Sequence, residues 1–180
     1  MKYITWFRLF IQGGLFTLFA ISTAWLWPLF ADKQGWLPSW LSWFQTPDNS
    51  LIGDSGFKSE HRLFRNDADV DTNCIKIYIN QVLWLIRNPG YGFDISVLGR
   101  VPSGTRVVKG DPTTQDQPQG KSGFVFVEYS NVWMLYLVKQ YGTSNKCLRF
   151  RMGWKLMNED MTKPAQFVFN IQPYKSFLNV

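Results

Sequence analysis

The sequence predicts an α+β fold, in which an N-terminal transmembrane helix precedes one amphipathic helix and an antiparallel β-sheet meander. Three observations support this prediction: a charge-free apolar run near the start, a helical spacing of apolar residues in the middle, and two-residue alternation in the second half. The 180 residues are 46% hydrophobic and 17% aromatic. Such a composition argues against wholesale disorder and is enough to bury a core.

The membrane prediction rests on Leu9–Ala31, which contains no charged residue. As a helix, this run would reach about 34 Å, enough to cross a hydrocarbon layer of about 30 Å. Trp6 lies at one end, and Trp25 and Trp27 lie at the other. Tryptophan is enriched where the bilayer meets water, so these three residues are predicted to lie at the membrane interface.

A second apolar stretch follows, with Trp36, Trp40 and Trp43 and no charge from Gly35 to Pro47. It is short and interrupted by proline, so we expect it to lie along the membrane surface rather than to cross it. The predicted division of the chain is therefore 1–31 as transmembrane anchor, 32–47 as a Trp-rich interfacial segment, and 48–180 as an α+β domain.

Two other interpretations compete with the anchor. A buried core helix rarely runs so far without a charge. In a cleaved signal peptide, Leu9–Ile21 would be the apolar region and Ser22-Thr23-Ala24 the cleavage site. The apolar run continues through Trp25–Phe30, however, which favours an uncleaved anchor.

Topology and cysteine chemistry are linked. Lys2 and Arg8 precede the apolar run, whereas Lys33 after it is balanced by an acid, so the positive-inside rule favours a periplasmic domain. In the periplasm, Cys74 and Cys147 would form a disulfide that closes a loop of about seventy residues and contributes up to ~4 kcal/mol. In the cytoplasm they would be two buried thiols.

The attached domain begins with a polar, turn-rich segment over residues 45–73. A helix then follows, with Thr72 or Asn73 as its N-cap and Asn88-Pro89-Gly90 as its end. Its apolar positions fall on one stripe at helical spacing: Ile75, Tyr78, Ile79, Val82, Leu83 and Ile86.

The second half alternates with the period of β-strands, and its short connections predict antiparallel neighbours. A polar loop is expected over Asp111–Ser122. The predicted strands are Ile95–Val101, Thr105–Val108, Phe124–Tyr129, Val132–Tyr141, Lys146–Leu156 and Gln166–Gln172.

All of the net charge of +6 lies in residues 100–155. Within this segment Arg149, Arg151 and Lys155 share one face of a predicted strand, where their cationic groups could bind anionic partners. The alternative is an ordinary solvated outer face whose charges pair across strands with Glu128.

No pattern indicates catalysis or a metal site. His61 is the only histidine, and it follows Glu60 without the spacing of a zinc site. The acids from Asp67 onward begin like a calcium loop, but Thr72 and Tyr78 occupy positions that need Gly and Glu. They are expected to place negative charge ahead of the helix N-terminus. We therefore predict no enzyme, no cofactor and no metal.

Several segments resemble a family of small membrane proteins of tailed bacteriophages, whose members typically begin with a hydrophobic segment. The segments are Thr46-Pro47-Asp48-Asn49, Gly53-Asp54, Trp84–Pro89 running into Tyr91-Gly92-Phe93, and Arg149–Leu156. The family carries no established activity. The resemblance implies a phage origin and a location in the host inner membrane.

The predicted function is that of a membrane-anchored protein acting by binding at the host cell envelope, in exclusion, lysis or counter-defence. Its expected partners are the lipid bilayer, a host or phage protein and anionic lipid head groups. Two alternatives remain open. One is a virion component that inserts into the host envelope during genome entry, and the other is a membrane-tethered nucleic-acid binder using residues 100–155.

Overall fold

The computed structural model describes residues 1–156 and 162–177. By their internal contacts, the residues group into two compact units. Unit 1 consists of Met1–Phe10 and Leu98–Val180, and unit 2 consists of Ile11–Val97. The predicted division at residues 31 and 47 concerned the position of each segment relative to a membrane, and it stays a prediction.

The described residues form helices and a five-stranded antiparallel sheet, which confirms the α+β fold class. The α-helices are α1 (Lys2–Ser22), α2 (Cys74–Arg87) and α3 (Tyr91–Ser96). Two 3-10 helices span Trp27–Phe30 and Ser39–Phe44, and a π-helical turn spans Phe57–His61. The strands are β1 (Val107–Gly110), β2 (Gly123–Glu128), β3 (Trp133–Gln140), β4 (Lys146–Trp154) and β5 (Phe167–Ser176).

The sheet of unit 1 is a meander, with its strands ordered as they occur along the chain. Short connections join β2 to β3 and β3 to β4, as the sequence predicts, whereas the loop over residues 111–122 joins β1 to β2. Within β4, Gly153 has a φ of 110°, and a Cβ there would clash with the carbonyl oxygen of Trp133. Only glycine allows this close approach of the two backbones.

The part of α1 up to Phe10 packs against this sheet. The Trp6 ring stacks on Phe167 with its centroid 5.6 Å away, and its indole N–H donates a 3.3 Å hydrogen bond to the carbonyl of Gly153. The ammonium of Lys2 lies 2.6 Å from the carboxylate of Glu128. Residues 1–10 are therefore an integral part of unit 1.

In unit 2, α2 begins and ends where the sequence predicts. The Asn73 side-chain oxygen accepts hydrogen bonds from the backbone N–H groups of Ile75 and Lys76 at 3.0 and 3.3 Å, which identifies Asn73 as the N-cap. Gly90 follows the helix in the left-handed region, with φ 71°. Both boundary predictions are confirmed.

The buried side of α2 differs from the predicted apolar stripe. Asn80 and Gln81, which lie off that stripe, are buried together with Trp84, whereas Ile75 and Ile86 at its ends are exposed. Asn80 is accommodated because its amide pairs with the backbone of Leu63 at 2.8 and 3.1 Å. A buried amide with both of its groups bonded costs little.

The strand predicted at Ile95–Val101 is wrong, because Tyr91–Ser96 forms α3 instead. Phe93 stacks on Phe16 at 3.9 Å within unit 2, and the Ser96 hydroxyl donates to the carbonyl of Gly92 at 2.6 Å. This packing outweighs the β propensity of the isoleucine and valine residues. Among the described residues, the β-structure of the predicted segment is limited to an isolated bridge between Arg100 and Ala165.

Candidate functional site

Four of the six tryptophans predicted at a membrane interface are exposed in unit 2. Trp40 and Trp43 lie three residues apart on one side of a 3-10 helix, and the buried residues Leu41 and Phe44 lie on another. We call the exposed tryptophans of unit 2, together with Phe30, whose ring centroid lies 5.6 Å from that of Trp40, the Trp surface; its members expose 41 to 66% of their area. The Trp surface consists of Trp25, Phe30, Trp36, Trp40 and Trp43.

The other two tryptophans are packed inside the protein. Trp6 is only 4% exposed within unit 1, so its assignment to a membrane interface is corrected. The reason is that its ring stacks on Phe167 and its N–H donates to the carbonyl of Gly153, so both the apolar and the polar part of the side chain have partners inside the protein. Trp27 is half-buried, since its ring stacks on Phe44 at 4.3 Å and its N–H bonds to the Thr23 hydroxyl at 3.1 Å.

Helix α1 has one covered side and one exposed apolar side. Leu9 is buried, and Ala20 is buried in a hydrophobic cluster of unit 2. The exposed positions are three or four residues apart, so they form a single row along the helix. We call this row the α1 stripe: Ile4, Phe7, Ile11, Leu15 and Leu18. By length and composition, α1 is long and apolar enough to span a membrane.

One face of the sheet in unit 1 is also apolar and only partly covered. Cross-strand pairing places its side chains in two rows, which we call the apolar sheet face. Phe124, Phe169 and Ile171 are exposed within it. The rows are Phe126, Leu135, Met152 and Phe169, followed by Phe124, Leu137, Phe150 and Ile171.

The opposite face of the sheet holds Arg149 and Arg151, and it is the more buried one. Arg149 donates to the Asp116 carboxylate at 3.1 Å, and the Tyr136 hydroxyl donates to the other oxygen of that carboxylate at 2.9 Å. The guanidinium of Arg151 lies 4.5 Å from the centre of the Tyr136 ring, in a cation–π contact. Burial, with the negative charge of Asp116 beside it, raises the pKa of Tyr136.

The basic row therefore lies on a more covered face than either interpretation assumed, and its role in binding anions stays a prediction. Arg149 and Arg151 are half-buried rather than on a solvated outer face, and Lys155 is half-buried and engaged in its own contacts. Glu128, the expected cross-strand partner, pairs with Lys2 instead. The cause is the loop over residues 111–122, which folds onto this face and places Asp116 against Arg149.

A model built from a protein family matches residues 1–178, which includes α1 and every strand of the sheet. The chain belongs to DUF7338, a family of unknown function. No curated protein and no solved structure matches it. The DUF7338 match therefore includes the apolar helix and the sheet together.

The two cysteines of this DUF7338 chain are free thiols in the structure. Cys147 is buried in β4, and burial raises the pKa of its thiol. Cys74 is exposed at the start of α2. The structure thus contains neither the disulfide nor a pair of buried thiols.

The acidic segment before α2 supports the helix rather than a metal. The Lys76 ammonium lies 2.6 Å from Asp67 and 2.5 Å from Asp69, and its hydrogen bond lowers the pKa of the Asp69 carboxyl. Glu60 and His61 are exposed neighbours at 3.5 Å. Residues 1–156 and 162–177 contain no group of three or more side chains that could hold a metal ion.

Sequence reasoning did not identify the apolar sheet face as a surface. One signal was available, because Phe124–Val127 is apolar at every position rather than at alternate ones. A continuous apolar run indicates a strand that meets apolar surroundings on both faces. Asp116 gave no such signal, since an acid in a polar loop is ordinary.

Proposed function

We propose that this protein is a membrane-bound binding protein whose exposed apolar surfaces lie in lipid. The observation that carries the proposal is the α1 stripe, an unbroken apolar row on a helix whose other side is covered by protein. Scattered exposed apolar residues are normal on a soluble protein, but a continuous row of five is not. Such a row requires a covering, and a bilayer provides one.

The polarity of the packing supports the same conclusion. In unit 2, α2 buries Asn80 and Gln81 while Ile75 and Ile86 are exposed. In unit 1, the sheet covers its arginine-bearing face and leaves Phe124 and Ile171 exposed. In water this arrangement is unfavourable, because apolar area stays hydrated while polar groups lose solvent. Against lipid, the exposed apolar area is favourable.

We further propose that α1 lies along the membrane rather than across it. A spanning helix is surrounded by lipid for about 20 residues. Here Trp6 is covered within unit 1, and Ala20 is covered within unit 2. Arg8 is exposed beside the stripe, and an arginine is far less costly among head groups than in the hydrocarbon centre.

The free energy of transferring these exposed side chains from water into lipid is sufficient for stable association of the protein with a membrane. Fully burying a side chain such as Leu or Phe contributes about 1.5–3 kcal/mol, so five partly exposed members of the α1 stripe contribute roughly 5 kcal/mol. The Trp surface adds aromatic rings of the kind that favour the head-group region. The combined binding free energy of the α1 stripe and the Trp surface exceeds that of a single acyl chain, which by itself gives only marginal membrane binding.

A flotation experiment tests membrane binding. The full-length protein is expected to float with phosphatidylcholine vesicles, and Leu15→Glu with Leu18→Glu is expected to leave most of it unbound. The matched control, Ser103→Glu with Thr105→Glu, adds the same charge at exposed loop positions and should float normally. Equal flotation of both double variants would contradict the proposal, provided that circular dichroism shows both folded.

A second experiment distinguishes a helix along the membrane from one across it. Epitope tags are attached at the N-terminus and at the C-terminus and probed in intact cells and in inverted vesicles. The proposal expects both tags on the same side of the membrane. Tags on opposite sides would establish a spanning helix and reject the proposed orientation of α1.

The setting and the partner are also proposals. With the resemblance to tailed-phage proteins, we propose the inner membrane of an infected bacterium and a host or phage protein as partner. A non-enzymatic role in exclusion, lysis or counter-defence fits this setting. The nucleic-acid candidate loses support because Arg149 and Arg151 are engaged by Asp116 and Tyr136. Mass spectrometry of purified virions tests the structural alternative.

A further inference from the structure

Unit 2 contains a cleft of about 430 Å³ between α2 and the segments before it. This volume falls within the ~300–1,000 Å³ of typical small-molecule sites. Leu51, Phe57 and Ile77 form part of its apolar wall. Leu51 and Phe57 are buried, so the wall belongs to the packed interior of the unit.

Three cationic side chains line the same cleft: Lys33, Lys58 and Arg62. Its single acid, Asp71, is already bound by Arg62 at 2.9 Å. Within residues 1–156 and 162–177, no carboxylate pairs with Lys33 or Lys58. The lining of the cleft therefore carries more cationic than anionic side chains, and a bound anion would pair with Lys33 and Lys58.

Two polar groups at the cleft have no partner in the described part of the protein. Gln81 is only 9% exposed, and its side chain makes no hydrogen bond to any described residue. The Nε atom of Arg62 is buried without a partner. The adjacent Asn80 is different, because both groups of its amide bond to Leu63. Buried polar groups are nearly always satisfied, so the orphaned Nε of Arg62 indicates a missing ligand, whereas the polar atoms of the Gln81 side chain reach solvent and are free to bond to one.

We propose that this cleft binds a small amphiphilic anion, with a phosphate or carboxylate head held by Lys33, Lys58 and Arg62. The apolar wall takes the hydrocarbon part, and the Gln81 amide donates to a polar atom of the ligand. A phosphate or carboxylate matches the donors because ammonium and guanidinium groups form their strongest hydrogen bonds with ionised oxygens. Both a lipid head group and a free organic phosphate present this chemistry.

The primary test is calorimetric titration of the full-length protein in phosphatidylcholine nanodiscs with three probes: hexyl phosphate, hexanol and inorganic phosphate. Hexyl phosphate is expected to bind most tightly, because it alone offers both the anion and the apolar chain. Lys33→Gln with Lys58→Gln should weaken its binding about tenfold or more. Gln81→Leu should weaken it as well. Lys109→Gln with Lys139→Gln removes the same charge at exposed positions in unit 1 and should leave binding unchanged.

Three results would overturn the proposal. One is the absence of hexyl phosphate binding in the folded wild-type protein. Another is equal binding of hexanol and hexyl phosphate, which would make the cleft a purely apolar gap. The third is an equal affinity for hexyl phosphate in the Lys33/Lys58 variant and the wild type.

A vesicle experiment identifies the source of the anion. Binding to phosphatidylcholine vesicles is compared with binding to vesicles that also contain phosphatidic acid. Loss of the preference for phosphatidic acid in the Lys33/Lys58 variant alone assigns the site to a lipid head group. An unchanged preference, combined with weakened hexyl phosphate binding, assigns it to a free anion. Binding to phosphatidylcholine alone tests the proposed membrane function separately.

Discussion

Replacing Trp6 with Ala would separate the packed role of this residue from the role of a membrane anchor. In the structure, the Trp6 ring contacts Phe10, Trp133, Phe167 and Phe169, and its N–H bonds to Gly153. Truncating a buried tryptophan to alanine costs about 3–5 kcal/mol. We expect unit 1 to lose stability by this amount, which is a large part of the total for a domain of its size.

The assay is urea unfolding of the full-length protein in neutral detergent micelles, with hydrogen exchange to locate the effect. With a slope of about 1–3 kcal/mol per molar urea, the midpoint should fall by at least about 1 M. Amide exchange should accelerate in peptides covering β3, β4 and β5, because those strands form the surface on which Trp6 packs.

Phe7→Ala is the matched control, since Phe7 is the next residue along and is 59% exposed. It should change the free energy of unfolding by no more than about 0.5 kcal/mol while weakening vesicle binding. Two outcomes would refute the packing of residues 1–10 on the sheet. One is an unchanged urea midpoint in Trp6→Ala, and the other is an equal loss of stability in Phe7→Ala.

Three further predictions concern single side chains. Burial raises the pKa of Asp94 to about 7, so the native state holds a proton that the unfolded state releases. The free energy of unfolding should therefore fall by at most ~4 kcal/mol between about pH 4 and about pH 7, and Asp94→Asn should abolish this slope in pH-dependent melting. Asn73→Ala should cost about 1 kcal/mol by removing the N-cap of α2, measured as a lower urea midpoint, whereas Asn66→Ala in the exposed loop should not. Asp116→Ala should destabilise unit 1 by about 1–3 kcal/mol, because it leaves the buried Tyr136 hydroxyl without its acceptor and Arg149 without its carboxylate, and an Asp116→Ala protein as stable as the wild type would contradict that pairing.

Local signals allowed the secondary structure to be predicted well. Asn73 and Gly90 act on neighbouring backbone groups, so the boundaries of α2 are encoded within a few residues of each end. The meander likewise follows from connections such as Ser130-Asn131, which are too short to allow any but an antiparallel neighbour.

Which face each element buries could not be predicted, because that choice depends on residues far away in the sequence. In β4, the alternation of apolar and basic residues is clear, but the arginine face is the one that the loop around Asp116 covers. In α2, the sequence makes Asn80 look like a surface residue. Its burial depends on the backbone of Leu63, which lies outside the helix and bonds to the Asn80 amide. The cleft lined by Lys33, Lys58 and Arg62 depends on tertiary contacts in the same way.

The pairing of Trp6 with Phe167 also determines the order of events during synthesis. About 160 residues separate the two, so at roughly 5–20 residues per second the ribosome needs on the order of ten seconds or more to produce the second after the first. Throughout that interval, α1 has emerged without the sheet against which it packs. A hydrophobic nascent segment left uncovered for so long is available to the membrane insertion machinery. Under the proposed membrane function, lipid is its first environment, and β3 to β5 assemble on a helix already at the membrane.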